Sequence, residues 1–138
     1  MSKIKKKKVI SVSKLHELVW YECKRIIRNR YDWKCYTCGV STGSKNNTHT
    51  SHGLSKGSLS LRFKYDLRNL KICCMRCNVH EQGNQEIFIA RLQKEKDGLA
   101  FLKEAGYKDE NGAWRCKKEE PIQARYYLEE LLAKYKLL

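Results

Sequence analysis

Cys35-Tyr36-Thr37-Cys38 and, after 35 intervening residues, Cys74-Met75-Arg76-Cys77-Asn78-Val79-His80 are the two stretches that decide how this chain folds. Each carries a C-x-x-C pair, the spacing at which two thiolates meet one ion, and together they supply a closed tetrahedral zinc shell. With four protein ligands no coordination position stays open. Zn²⁺ bound by Cys35, Cys38, Cys74 and Cys77 is therefore expected to be structural, and its binding energy to help fold the domain. Seven cysteines in 138 residues would also suit a disulfide scaffold. The odd number, the spacing and an amino terminus without an apolar export segment speak against that reading. Cys73 with Cys77 forms a C-x-x-x-C alternative, and Cys74 is preferred because it keeps the two-residue gap. Cys23, with no partner at ligand spacing, reads as a buried small apolar residue.

Charge is the next signal outward. The chain holds 29 Lys and Arg against 15 Asp and Glu, a formal +14, which calls for a polyanionic partner. From Trp20 to His80 there are 12 basic and 3 acidic residues, so the excess sits on the segment that carries the metal ligands. A phosphodiester substrate needs such a surface. Residues 1–14, with six lysines and no acid, are expected to form a disordered basic arm. The arm lacks the aromatic and leucine face of an interfacial helix, so a membrane partner is not expected. Apolar runs of only a few residues exclude a membrane-spanning helix. The expected location is cytoplasmic, in a bacterial or phage setting.

Periodicity places the remaining elements. Leu15 to Tyr31 has helical spacing, with Ser13 as its N-cap. Asp32 to His52, rich in Gly, Ser, Thr and Asn, reads as a zinc knuckle followed by a loop or ribbon. Leu59 to Cys73 alternates weakly and suits a strand or hairpin. A helical period then runs through Ile87, Ala90, Arg91 and Lys94, with Gly98 as its stop, and a second helix spans Leu99 to Ala105. Pro121 is expected to open a last helix reaching Leu138. The resulting division is a basic arm (1–14), a zinc-containing domain (15–107) and a C-terminal helical extension (108–138). Leu128, Leu131, Leu132 and Tyr135 on that last helix either pack on their own domain or form a homodimer contact, which would suit a two-fold symmetric substrate.

Three of the four histidines, His49, His52 and His80, lie in or just after the loop that the zinc would close. Phosphodiester hydrolysis needs an activated water, charge neutralisation at the phosphoryl oxygens and help for the departing oxygen. A neutral imidazole takes a water proton at cellular pH, and His52 is the residue chosen for that base. His49, His80 and Asn84 are candidate ligands for one catalytic Mg²⁺ or Mn²⁺. Asn69 would orient His52 or complete the metal shell.

C-x-x-C, a histidine, an asparagine and C-x-x-C-N in this order resemble the HNH endonucleases, and more narrowly the NinG (Rap) recombination nucleases of lambda-like phages. The matching residues are Cys35-Tyr-Thr-Cys38-Gly39, His49-x-x-His52, Leu61-Arg62-Phe63, Asp66 through Asn69, and Cys74-x-x-Cys77-Asn78-x-His80-x-x-Gly83-Asn84. The likeness covers about residues 20–105. It implies an α+β fold, with a small zinc-stabilised ββα-metal core and flanking α-helices, and a metal-dependent endonuclease acting on branched DNA with His52 as base. Arg25, Arg28, Arg30, Lys56, Arg62, Lys64, Arg68 and Arg76 are the expected DNA contacts. The competing readings are a duplex-cutting HNH enzyme of restriction or homing type, and a non-catalytic zinc ribbon that only binds nucleic acid.

Overall fold

A computed structural model describes residues 9–30, 32–43, 47–80 and 85–138, leaving out the side chains of residues 79 and 80. The order is α1 (Val12–Arg30), β1 (His49–His52), α2 (Leu61–Lys64), a 3₁₀ turn (Leu67–Asn69), β2 (Leu70–Cys73), a π-helical turn (Arg76–His80), α3 (Gln85–Lys94), α4 (Lys96–Ala105), β3 (Gly106–Lys108), β4 (Trp114–Cys116) and α5 (Ala124–Lys136). Helix and strand are mixed, and the described strands form two separate two-stranded antiparallel sheets.

The β1–β2 ribbon divides the interior. Its register sets His49 opposite Cys73, Thr50 opposite Ile72, Ser51 opposite Lys71 and His52 opposite Leu70. Residues directly opposite share a face, and successive residues alternate faces. Leu70 and Ile72 pack with Leu15, Val19, Cys23, Ile26 and Ile27 of α1 and with Leu128, Leu132 and Tyr135 of α5. Cys73 faces the other way, into a core with Cys35, Cys74, Cys77, Phe63, Phe88 and Leu92, closed by Phe101 and Leu102 of α4. All four residues of β2 are buried as a result.

Helix α1 begins three residues earlier than its periodicity suggests, inside the expected arm. The cap is Ser11 rather than Ser13: its hydroxyl accepts the Lys14 amide at 3.1 Å, satisfying one of the donors a helix leaves open at its start. The expected strand or hairpin over Leu59–Cys73 is instead one helical turn, a 3₁₀ turn and β2, and β2 pairs with the histidine-bearing β1. Gly98 does not stop a helix. It lies in the first turn of α4, where a Cβ would sit 2.4 Å from the Leu92 carbonyl oxygen, so its missing side chain lets α4 fold back closely on α3.

The C-terminal part is less helical than expected, and the boundary drawn at 107/108 falls inside β3. The Asp109 carboxylate accepts the Asn111 and Ala113 amides at 2.8 and 3.0 Å and so closes the β3–β4 turn. Pro121 does not open α5. Gln123 caps it, accepting the Tyr126 amide at 3.0 Å. Helix α5 runs parallel to α1: Arg125 donates to the Ile10 carbonyl at one end, and Arg25 to the Tyr135 carbonyl at the other. Leu128, Leu132 and Tyr135, expected either to pack on their own domain or to form a homodimer contact, are buried against this chain's own α1, and Leu131 is packed beside them. Among the described residues no helix is long and apolar enough to cross a membrane.

Candidate functional site

The first cysteine pair sits on a tight turn. The Gly39 amide donates to the Cys35 carbonyl at 2.9 Å, and the Cys35 amide to the Val40 carbonyl at 2.8 Å. Gly39 has φ +78°, a left-handed conformation open to glycine at little cost. The Tyr36 amide then bonds the Ile72 carbonyl at 2.8 Å, tying this turn to β2. The second pair starts where β2 ends and enters the π-helical turn, with the Asn78 amide on the Cys74 carbonyl at 3.0 Å.

These two turns bring the sulfurs of Cys35, Cys38, Cys74 and Cys77 within 4.8 Å of one another, and the Cys38 and Cys74 sulfurs to 3.8 Å. A tetrahedral ion with Zn–S bonds of about 2.3 Å sets its sulfurs roughly 3.8 Å apart. The four cysteines therefore form a cluster that could hold a zinc ion, and Cys74, not Cys73, completes it. Burial works against ionising Cys35, yet the Cys38, Cys74 and Thr37 amides and the Thr37 hydroxyl hold its thiol below the ordinary value. Donors already aimed at one sulfur favour the thiolate that a metal requires. Burial pushes the Cys74 thiol upward. Cys23 is buried in α1, and Cys116 is half-buried in β4.

The histidines separate. His52 lies on the α1 face of the ribbon: its ring stacks on Trp20, with centroids 5.1 Å apart and 17° between planes. His52 Nε2 is 3.1 Å from the Lys64 carbonyl oxygen. A carbonyl only accepts, so Nε2 carries the proton and Nδ1 keeps its lone pair. Burial, helped by the charges of Lys56 and Lys64, lowers the His52 pKa to about 4. His49 lies on the opposite face, over the cysteine side, where its Nδ1 is 3.1 Å from Asn78 Nδ2. Asn78 Oδ1 also accepts the Ser51 hydroxyl. His49 and His52 therefore do not converge on one point, contrary to the sequence expectation. The His80 side chain and Asn84, the other expected ligands, lie outside the described residues. Among the described residues the four cysteines are the one group of three or more His, Cys, Asp or Glu able to hold a metal.

Asn69 is hydrogen-bonded through its side-chain amide to Leu54 and not to His52. It is fully buried, and both ends of its amide clamp Leu54: Oδ1 accepts the Leu54 amide at 2.9 Å, and Nδ2 donates to the Leu54 carbonyl at 3.0 Å. Its own carbonyl accepts the Gly53 amide at 3.0 Å. It thus fixes the segment between His52 and Lys56. Trp20, absent from the expected set, forms the wall of the His52 site. Its partner lies 32 residues away in sequence, so no local pattern announces the pairing.

The expected DNA contacts divide into two groups. Arg25 meets Glu22 and the Tyr135 carbonyl, Arg62 meets Glu119, and Arg68 lies between Asp66 and Glu104. Arg28 donates to the Thr48 carbonyl at 3.3 Å. Arg25 and Arg68 are thus held within the fold. Arg30, Lys56 and Arg76 are exposed, and Lys64 is half-buried beside His52. No family model matches the chain, and no curated protein or solved structure matches it.

Proposed function

We propose that this protein is a metal-dependent DNA endonuclease of the HNH type, acting on branched recombination intermediates, with the four-cysteine cluster holding a structural zinc. The observation that carries the catalytic part is the state of His52. Its Nε2 proton is engaged by the Lys64 carbonyl, its ring is kept neutral at cellular pH, and Nδ1 is left as the basic atom. A neutral, oriented imidazole can take a proton from water attacking a phosphodiester, and a phosphate bound beside Lys56 and Lys64 would offset their charge and raise its basicity. A catalytic divalent ion such as Mg²⁺ or Mn²⁺ would neutralise charge on the phosphoryl oxygens. His49 faces away from His52, so among the described residues no second His, Cys, Asp or Glu cluster stands beside the base to hold such an ion. The preference for branched DNA rests on the sequence resemblance alone. The separation of His49 from His52 by the ribbon favours the second reading, a zinc module that binds nucleic acid without cutting it.

Four-way, Y-form and linear DNA, each incubated with the purified chain in Mg²⁺, Mn²⁺ or EDTA, separate these readings. Cleavage of the branched forms that depends on the ion, abolished in His52→Ala with DNA binding retained, supports the nuclease. Equal cutting of linear duplex points to a restriction or homing type. Binding without cleavage in any ion leaves the zinc module.

A further inference from the structure

Lys56 is one of two lysines whose charge acts on His52, and the fold places it there by several independent contacts. The turn that carries it follows His52 directly and is fixed at Leu54 by the two-ended Asn69 clamp. Its ammonium lies 4.7 Å from the centre of the Trp20 ring, and that same indole stacks on His52. It also lies 5.6 Å from the Tyr65 ring. Among the described residues no carboxylate is within ion-pair distance of Lys56 or Lys64, whereas Arg25, Arg62, Arg68 and Lys71 each meet one. Cations left unpaired beside a neutral base are placed for an anion from outside.

We propose that Lys56 is the general acid of the proposed cleavage, delivering a proton to the departing 3′-oxygen, and that Trp20, whose indole meets both side chains, positions it near His52. This rests on the nuclease reading and assigns the half of the reaction that His52 leaves open. His52 Nδ1 takes a proton from the attacking water. The new phosphorus–oxygen bond forms as the bond to the 3′-oxygen breaks, and Lys56 Nζ gives its proton to that oxygen. Solvent then returns a proton to Lys56 and removes one from His52. Partial burial, with Lys64 and Lys24 nearby, lowers the Lys56 pKa, so the ammonium gives up its proton more readily than an ordinary lysine. Arginine cannot replace it in this role, since guanidinium does not deprotonate in proteins.

Once the cut position is mapped, single-turnover cleavage is measured on two DNAs that differ only in the scissile 3′ atom: the natural oxygen, or a bridging sulfur, which leaves as a thiolate without needing a proton. Lys56→Met in the zinc-loaded full chain is expected to lose about 10²-fold or more on oxygen and to cut the sulfur substrate at close to the wild-type rate. Lys56→Arg is expected to share the loss on oxygen. Equal losses on both substrates, or rescue by arginine, would overturn the assignment and make Lys56 a phosphate contact. Wild-type rates from Lys56→Met on oxygen would overturn it as well. A wild-type chain that cuts neither DNA removes the nuclease reading itself, an outcome distinct from the others.

Discussion

The two faces of the β1–β2 ribbon are held by different physics. On one side the core gathers around four cysteines and the aromatic residues of α3 and α4. On the other, α1 and α5 close over Leu70 and Ile72 with aliphatic side chains and Tyr135. The cysteine side gathers thiols that could hold an ion, and the helical side rests on apolar area removed from water. Because both sides grip the same two strands, neither is expected to survive long without the other. The site residues follow this division: His52 belongs to the helical face and His49 to the cysteine face.

The largest expected effect comes from removing one ligand. Cys74→Ser should bind well under one zinc per chain and lose cooperative unfolding on both faces, as read by metal analysis and by circular dichroism on heating. A sharp transition near the wild-type temperature without zinc would show that the helical face stands alone. Next is Leu128→Ala, fully buried in α5, expected to cost about 2–5 kcal/mol in denaturant unfolding while zinc content stays at wild type. Loss of zinc in that variant would mean that the two faces are coupled more tightly than their separate cores imply.

Asn69→Ala is smaller. It strips both partners from the Leu54 backbone, at a cost of about 1–3 kcal/mol for buried groups left unpaired. Cleavage should fall further than stability, because the turn carrying Lys56 loses its anchor. The smallest effect is a pH dependence. The folded-state pKa of His52 is about 4 against an ordinary 6.5, so below pH 6.5 the unfolded chain binds a proton that the folded one refuses. Its contribution is unchanged above about 6.5 and destabilises progressively as pH falls toward 4. His52→Gln should flatten that part of the stability profile, as measured by urea midpoints across the range.

The cysteine ligands were legible in the sequence because C-x-x-C spacing is itself the geometry of ligation. Strand β2 was only half legible. Leu70-Lys71-Ile72-Cys73 is covered on both faces, with Lys71 buried on an ion pair to Glu95 at 3.0 Å, so the alternation that marks a half-buried strand is lost. Its partner, His49-Thr50-Ser51-His52, carries no strand-like apolar pattern at all, and only pairing reveals that its two histidines face apart. Asn69 could be singled out by its place before the second cysteine pair, but its target, the Leu54 backbone, is a tertiary fact. Gly98 misleads for a related reason: a glycine at a helix end and one that admits a neighbouring backbone look alike in one dimension.

The parallel docking of α5 on α1 fixes an order of assembly. The two helices are neighbours in space, but about a hundred residues of ribbon, cysteine turns and hairpin lie between them in the chain. On the ribosome α1 emerges early with Leu15, Val19, Ile26 and Ile27 uncovered; β2 can cover part of that face, and the rest waits until α5 has been made. A zinc ion held by the four cysteines would draw together the two ends of a 35-residue loop and shorten the path over which that late contact must form. During synthesis, the last element of the chain to be made therefore completes the cover of its first helix.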